Sequence, residues 1–132
     1  VQHTVNARKL AVEVLRIGRQ LLLLREMLNP TSALAVAREL REVLKRPELV
    51  GTYHMTCEGE ASWHEFALEI FERMGISQKV LPCATEEFPR PAPRPANSRL
   101  EKMMLRLSGL PPMPDWKDAL GEFLAKEFKN RK

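Results

Sequence analysis

The sequence predicts an α-rich α+β fold, helices joined by two or three short strands. Apolar residues recur at spacings of three and four through several stretches, as in a helix with one buried face. The runs rich in β-formers are short. The ten prolines cluster in two places, where they demand turns or extended connections rather than element interiors. A chain of 132 residues, 44% of them hydrophobic, fits a single domain over 1–132 with one real core, and disorder throughout is excluded.

Taken in order, residues Asn6 to Gly18 read as a helix, with Leu10, Val14, Ile17 and Leu21 at roughly helical spacing. Leu21-Leu22-Leu23-Leu24 either continues it or starts a short buried strand; periodicity does not decide. Pro30 disfavours helix at Asn29, and Thr31 or Ser32 can cap the next helix. That helix runs to about Lys45, with Ala33, Val36, Ala37, Leu40 and Leu44 expected inside and Arg38, Glu39, Arg41 and Glu42 mostly outside. Gly51 to Thr56 reads as a strand. Ser62 followed by Glu65 is a capping box. Trp63, Phe66, Ala67, Ile70, Phe71 and Met74 then make the clearest amphipathic helix, stopped by Gly75. Val80 to Cys83 is a second short strand, its proline marking an edge or an end. Phe88 to Pro95 is extended and stiff. Glu101 to Ser108 is a short helix ended by Gly109. Asp115 caps a last helix that buries Trp116, Ala119, Leu120, Phe123 and Leu124, and Lys129 to Lys132 fray.

The formal charge is +4, and residues 88–132 hold ten Lys/Arg against five Asp/Glu. Such a half can attract nucleic acid or a nucleotide diphosphate. The cations are interleaved with acids and lack an aromatic-rich stripe, so nucleic acid is the lesser expectation. Cys57 and Cys83 stand apart without a CxxC or Cys/His pattern, which argues against zinc and for reduced thiols in a cytoplasmic protein. No signal peptide is visible, and Leu21–Leu24 is far too short to span a membrane.

Chemistry-bearing motifs are missing. No GxGxxG or GxxGxxG turn is present to cradle a dinucleotide pyrophosphate, and no Walker sequence. The single tyrosine, Tyr53, is followed four residues later by Cys57, so no Tyr-xxx-Lys acid pair exists. GxSxG and HExxH are absent as well. His3, His54 and His64 show no ligand spacing and read as surface or singly hydrogen-bonded histidines. Glu58, Glu60 and Glu65 read as turn and capping carboxylates, and Trp63 and Trp116 as core anchors. No catalytic, cofactor-binding or metal-binding residue is therefore assigned.

Several short pieces occur in a telling order: Asn29-Pro30-Thr31-Ser32-Ala33 before Leu34-Ala35-Val36-Ala37-Arg38; Gly51-Thr52-Tyr53-His54-Met55 leading through Gly59-Glu60-Ala61-Ser62-Trp63 to Phe66-Ala67; Arg94-Pro95-Ala96-Asn97-Ser98-Arg99-Leu100; and Pro114-Asp115-Trp116-Lys117-Asp118-Ala119-Leu120. Together they resemble the C-terminal part of the dTDP-4-dehydrorhamnose reductases, in the extended short-chain dehydrogenase/reductase superfamily. The resemblance implies the small C-terminal lobe of a two-lobed enzyme, with the Rossmann lobe absent from this chain. That missing lobe would hold NADPH and the catalytic Thr, Tyr and Lys, and the parent enzyme would reduce dTDP-4-dehydro-L-rhamnose to dTDP-L-rhamnose. No cofactor is expected on this chain alone. Before Pro30 the pattern departs. The family has a strand running into Asp-Gln-x-x-x-Pro-Thr, and here the stretch is Arg25-Glu26-Met27-Leu28-Asn29-Pro30-Thr31, so residues 1–29 diverge.

For substrate binding, Arg94 comes first. A guanidinium can bridge diphosphate oxygens with paired hydrogen bonds, and Pro93 and Pro95 restrict its backbone. The alternative is a solvated loop arginine. Arg90 is a weaker second cation. Asn97 and Ser98 can serve sugar hydroxyls, or equally form a local turn or cap near Glu101. Thr31 can line the sugar pocket or simply cap a helix. The expected partners are a dTDP-sugar nucleotide and the missing Rossmann lobe, in cis or in trans. The rival reading is a non-catalytic interaction module of the same family, as in the beta subunit of methionine adenosyltransferase, with exposed apolar area favouring partners or self-association.

Overall fold

The computed structural model describes residues 21–84, 92 and 95–128, with 21–24 as backbone only. The helix expected over 6–18, the arginines Arg90 and Arg94, most of the proline-rich stretch and the tail 129–132 lie outside the described residues. The elements are β1 (Leu21–Leu24), β2 (Met27–Leu28), α1 (Ala33–Leu44), β3 (Ala61–Ser62), α2 (Trp63–Met74), β4 (Val80–Cys83), α3 (Met103–Leu107) and α4 (Trp116–Phe128). Four helices and short strands make an α-rich α+β fold, as the sequence predicts. They divide into two compact units, one of residues 29–59 with 100–128, the other of residues 21–28 with 60–99.

In the second unit the leucine run is a strand. β1 pairs in parallel with β4, Leu21 opposite Val80 and Leu24 opposite Cys83. β2 pairs antiparallel with β3, Met27 opposite Ser62 and Leu28 opposite Ala61. The chain passes from β3 directly into α2, so Ser62 is both a strand residue and a helix cap. Its hydroxyl accepts from the Glu65 amide at 3.1 Å, and the Glu65 carboxylate accepts from the Ser62 amide at 2.7 Å, which satisfies two donors that a helix start leaves orphaned. Gly75 ends the helix at φ 64°, a left-handed conformation that glycine adopts without penalty. Phe66, Ala67, Ile70 and Phe71 are buried. Ala67 and Phe71 pack with Val80, with Ile76 against them, and burial of a phenylalanine of this kind is worth about 1.5–3 kcal/mol. Trp63 is only half-buried, so it is less of a core anchor than expected.

In the first unit three expectations are corrected. Ser32 stands at the N-cap of α1 but its side chain makes no cap bond, and Thr31 turns to other partners described below. The inward face of α1 is also different. Ala35 and Glu39 are buried, while Ala33 and Ala37 are exposed and Leu40 and Leu44 are 46% and 75% exposed. Periodicity shows that a helix has an apolar stripe, but tertiary neighbours decide which stripe is covered. Third, 51–56 forms no ladder among the described residues, and only Glu58 beyond it makes an isolated bridge, to Asp115. β-propensity without a partner strand does not make a sheet.

The rest of this unit follows the sequence. Gly109 ends α3 at φ 62°. Asp115 caps α4 by accepting from the Lys117 amide at 2.8 Å, and Trp116, Ala119 and Leu120 are buried, with Phe123 and Leu124 half-buried. Arg38 of α1 grips Glu122 of α4 through two bonds of 2.7 and 2.6 Å. That pair, with Lys126, holds the Glu122 carboxyl down at about 2.

Candidate functional site

The second unit carries the segment that follows the Arg-Pro motif in sequence. Ala96 to Ser98 lies alongside β2. Met27 donates its amide to the Ala96 carbonyl at 2.9 Å, and its own carbonyl accepts from the Ser98 amide at 2.9 Å and the Ser98 hydroxyl at 3.1 Å. The segment is held against β2 by an isolated parallel bridge between Met27 and Asn97. Asn97 and Ser98 are brought together here, both exposed. The side-chain oxygen of Asn97 accepts from the Arg99 amide at 3.1 Å and from Arg99 Nε at 2.9 Å. Arg99 Nη1 then pairs with Glu60. Asn97 thus makes the local turn that its residue type allows, the Ser98 hydroxyl bonds Met27 from 71 positions away, and the amide nitrogen of Asn97 has no partner among the described residues.

The first unit holds Thr31 in a different role from helix capping. Its hydroxyl donates to the Asn29 carbonyl at 2.9 Å and accepts from the Cys57 amide at 3.2 Å. Asn29 spans further, donating its amide to the Gly59 carbonyl at 2.7 Å and accepting from the Leu100 amide at 3.0 Å. Gly59 has φ 77°, and an added Cβ would stand 2.8 Å from both the Asp115 carboxylate and the Trp116 ring, so glycine is required there. Lys102, 8% exposed, donates to the Cys57 carbonyl at 3.2 Å and pairs with Glu58 at 3.1 Å. Asn29, Arg99 and Lys102 were not singled out from the sequence. Their partners are 26 or more positions away or depend on a turn, and no local pattern announces them; only the Arg99–Asn97 spacing of two offered a signal.

The remaining candidates are plain. His54 bonds the Glu101 carbonyl at 2.8 Å, and His64 the Val80 carbonyl at 3.4 Å. Cys57 and Cys83 are buried and not joined in a disulfide, and burial pushes the Cys57 thiol up, against a nucleophilic role. No cluster of His, Cys, Asp or Glu able to hold a metal ion is found among the described residues, and none of their helices is long and apolar enough to cross a membrane. Glycines of positive φ stand singly at Gly51, Gly59, Gly75 and Gly109. None of these isolated turns is the glycine-rich strand-to-helix cradle that a dinucleotide pyrophosphate needs, so no step involving NADP is derived from this chain.

Comparison with known proteins gives this geometry a family. The model of the RmlD substrate binding domain matches residues 13–128. The spore coat polysaccharide biosynthesis protein SpsK of Bacillus subtilis is 34% identical over 96 residues, covering 73% of this chain and 33% of that protein. The dTDP-4-dehydrorhamnose reductase of Shigella flexneri is 33% identical over 98 residues, covering 70% and 33%. The crystal structure of the dTDP-4-dehydrorhamnose reductase of Bacillus anthracis in complex with NADP superimposes with a TM-score of 0.85 and 30% identity, over 95% of this chain and 44% of that one. The chain thus spans about a third of the length of these curated relatives. With the family model matching residues 13–128 and the fold shared with a solved reductase, the chain belongs to the RmlD substrate binding domain family.

Proposed function

We propose that this chain is the nucleotide-sugar-binding C-terminal lobe of a dTDP-4-dehydrorhamnose reductase, whose parent enzyme uses NADPH to reduce dTDP-4-dehydro-L-rhamnose to dTDP-L-rhamnose in the cytoplasm. The observation that carries the reading is the superposition of nearly the whole chain on less than half of an NADP-bound reductase. The shared part is the part named for substrate binding, and the sequence has no GxGxxG or GxxGxxG turn to cradle the cofactor. In this reading Arg94 bridges the diphosphate, held by its flanking prolines. Asn97 and Ser98 supply hydrogen bonds to the sugar, and Thr31 keeps one lone pair for a ligand after its bonds to the Asn29 carbonyl and the Cys57 amide. Alone, the lobe binds weakly and catalyses nothing.

The test is calorimetric titration with dTDP-L-rhamnose. Arg94→Ala is expected to weaken binding about tenfold, since a hydrogen bond to a charged group is worth about 1.5–3 kcal/mol. Unchanged affinity would remove Arg94 from the site, and absence of any binding by the unaltered chain would remove the reading itself.

A second reading, a non-catalytic interaction module of the same family, draws on a different observation. Leu40, Leu44, Val50, Met103, Met104 and Leu107 are all exposed in the first unit. A Cβ added at Gly51 would stand 3.9 Å from Met104 Cε, and Arg46 bonds the Ser108 and Gly109 carbonyls at 3.2 and 3.4 Å, which draws the end of α1 and the end of α3 together. Apolar surface of this kind marks contact with another polypeptide. A Rossmann lobe, in cis or in trans, is the occupant we favour, because the relatives are about three times as long as the matched segment.

A further inference from the structure

We infer that Glu60, Arg99 and Asn97 form a preset group that recognises adjacent hydroxyls of the sugar, the inference resting on the nucleotide-sugar reading above. Asn97 Oδ1 holds Arg99 Nε at 2.9 Å, and Glu60 holds Nη1 from the other side. Two anchors fix the plane of the guanidinium, so the direction of Nη2 is set before any ligand arrives. Nη2 of Arg99, Nδ2 of Asn97 and Oε1 of Glu60 have no partner among the described residues. Arg99 is 39% exposed and Glu60 54%, so this edge is open to a ligand.

The chemistry of that edge selects the ligand. It offers two donors, Arg99 Nη2 and Asn97 Nδ2, and one carboxylate acceptor, Glu60 Oε1, with no net charge between Arg99 and Glu60. A diphosphate needs donors only, and the Glu60 carboxylate would repel it. A pair of neighbouring hydroxyls both donates and accepts, and matches this mixture. The group is also more than the loop needs for its own placement. Three bonds to Met27, from Ala96 and Ser98, already fix the segment against β2.

The experiment is saturation-transfer NMR on the 132-residue chain with dTDP-L-rhamnose and, separately, with dTDP. The unaltered chain is expected to show transfer to both thymidine and rhamnose protons. Arg99→Ala and Glu60→Gln are each expected to lose about tenfold in affinity for dTDP-L-rhamnose, the worth of a hydrogen bond to a charged group. Rhamnose signals should fall while thymidine signals and dTDP binding persist. Arg73→Ala, which breaks the exposed Arg73–Glu69 pair in the same unit, should change neither. Circular dichroism checks that each variant folds; should Arg99→Ala fail to fold, Glu60→Gln decides. Rhamnose signals undiminished in folded variants would overturn the assignment, as would equal loss of dTDP binding, which would make Arg99 a phosphate contact. No transfer to either ligand in the unaltered chain would sink the nucleotide-sugar reading, and this inference with it.

Discussion

Glu39 sits in an environment that its chemistry does not favour. It is 5% exposed on α1, and one carboxylate oxygen has no partner among the described residues. Burial, then repulsion from Glu42, raises its pKa, while Arg46 opposes the shift. The folded state therefore holds this proton more tightly than the unfolded chain does. The stability that this preference contributes is full below the ordinary value of 4.5 and is lost as pH rises through the folded-state pKa. Glu39→Met, similar in volume and free of the orphaned oxygen, is expected to raise stability at pH 7 by roughly 1–3 kcal/mol, the cost of an unsatisfied buried polar group. Urea melts at pH 4 and pH 7 check it: the gain should shrink toward pH 4, and a gain that is absent or independent of pH would mean that the carboxyl finds a partner in solution.

Among the elements, α2 and α1 show opposite relations between sequence and structure. α2 is written locally. Ser62, Glu65 and Gly75 set its ends by contacts within a few residues, and its buried stripe is the one that the spacing predicts. Ser62→Ala is expected to cost about 1 kcal/mol, the usual worth of an N-cap, read as a lower urea midpoint with an unchanged slope. α1 has an equally clear stripe, yet Leu40 and Leu44 face outward and Glu39 inward. The periodicity does form a helix, but the partner that would cover its apolar stripe is not among the described residues.

At the scale of the molecule, every large exposed hydrophobic among the described residues except Leu68 belongs to the first unit. With nothing covering them, these side chains should drive the isolated chain to self-associate. Leu44→Lys together with Leu107→Lys is expected to lower the association constant at least about tenfold, because burying each leucine is worth about 1.5–3 kcal/mol. Sedimentation equilibrium over a wide concentration range reads this. A chain that stays monomeric at every concentration would show that the surface is not adhesive and would weaken the case for a covering lobe.

Much of the site was out of reach of sequence reasoning for a related reason. Asn97 and Ser98 could be nominated because their residue types and their neighbours in the Arg-Pro motif suggest hydrogen bonding. That Asn97 orients Arg99 toward Glu60, or that Thr31 supports the Cys57 amide, depends on residues brought from 39 and 26 positions away. By itself the sequence determined the helices from Ala33 onward, the caps of α2 and α4, the glycine stops, the shortness of the strands and the family, because these depend on near neighbours and on the order of local motifs. Only the tertiary structure decided the parallel pairing of β1 with β4, the inward turn of Glu39 and the Glu60–Arg99–Asn97 group. Contacts between distant segments arise from how the chain closes on itself, and no periodicity of 2 or 3.6 residues encodes that closure.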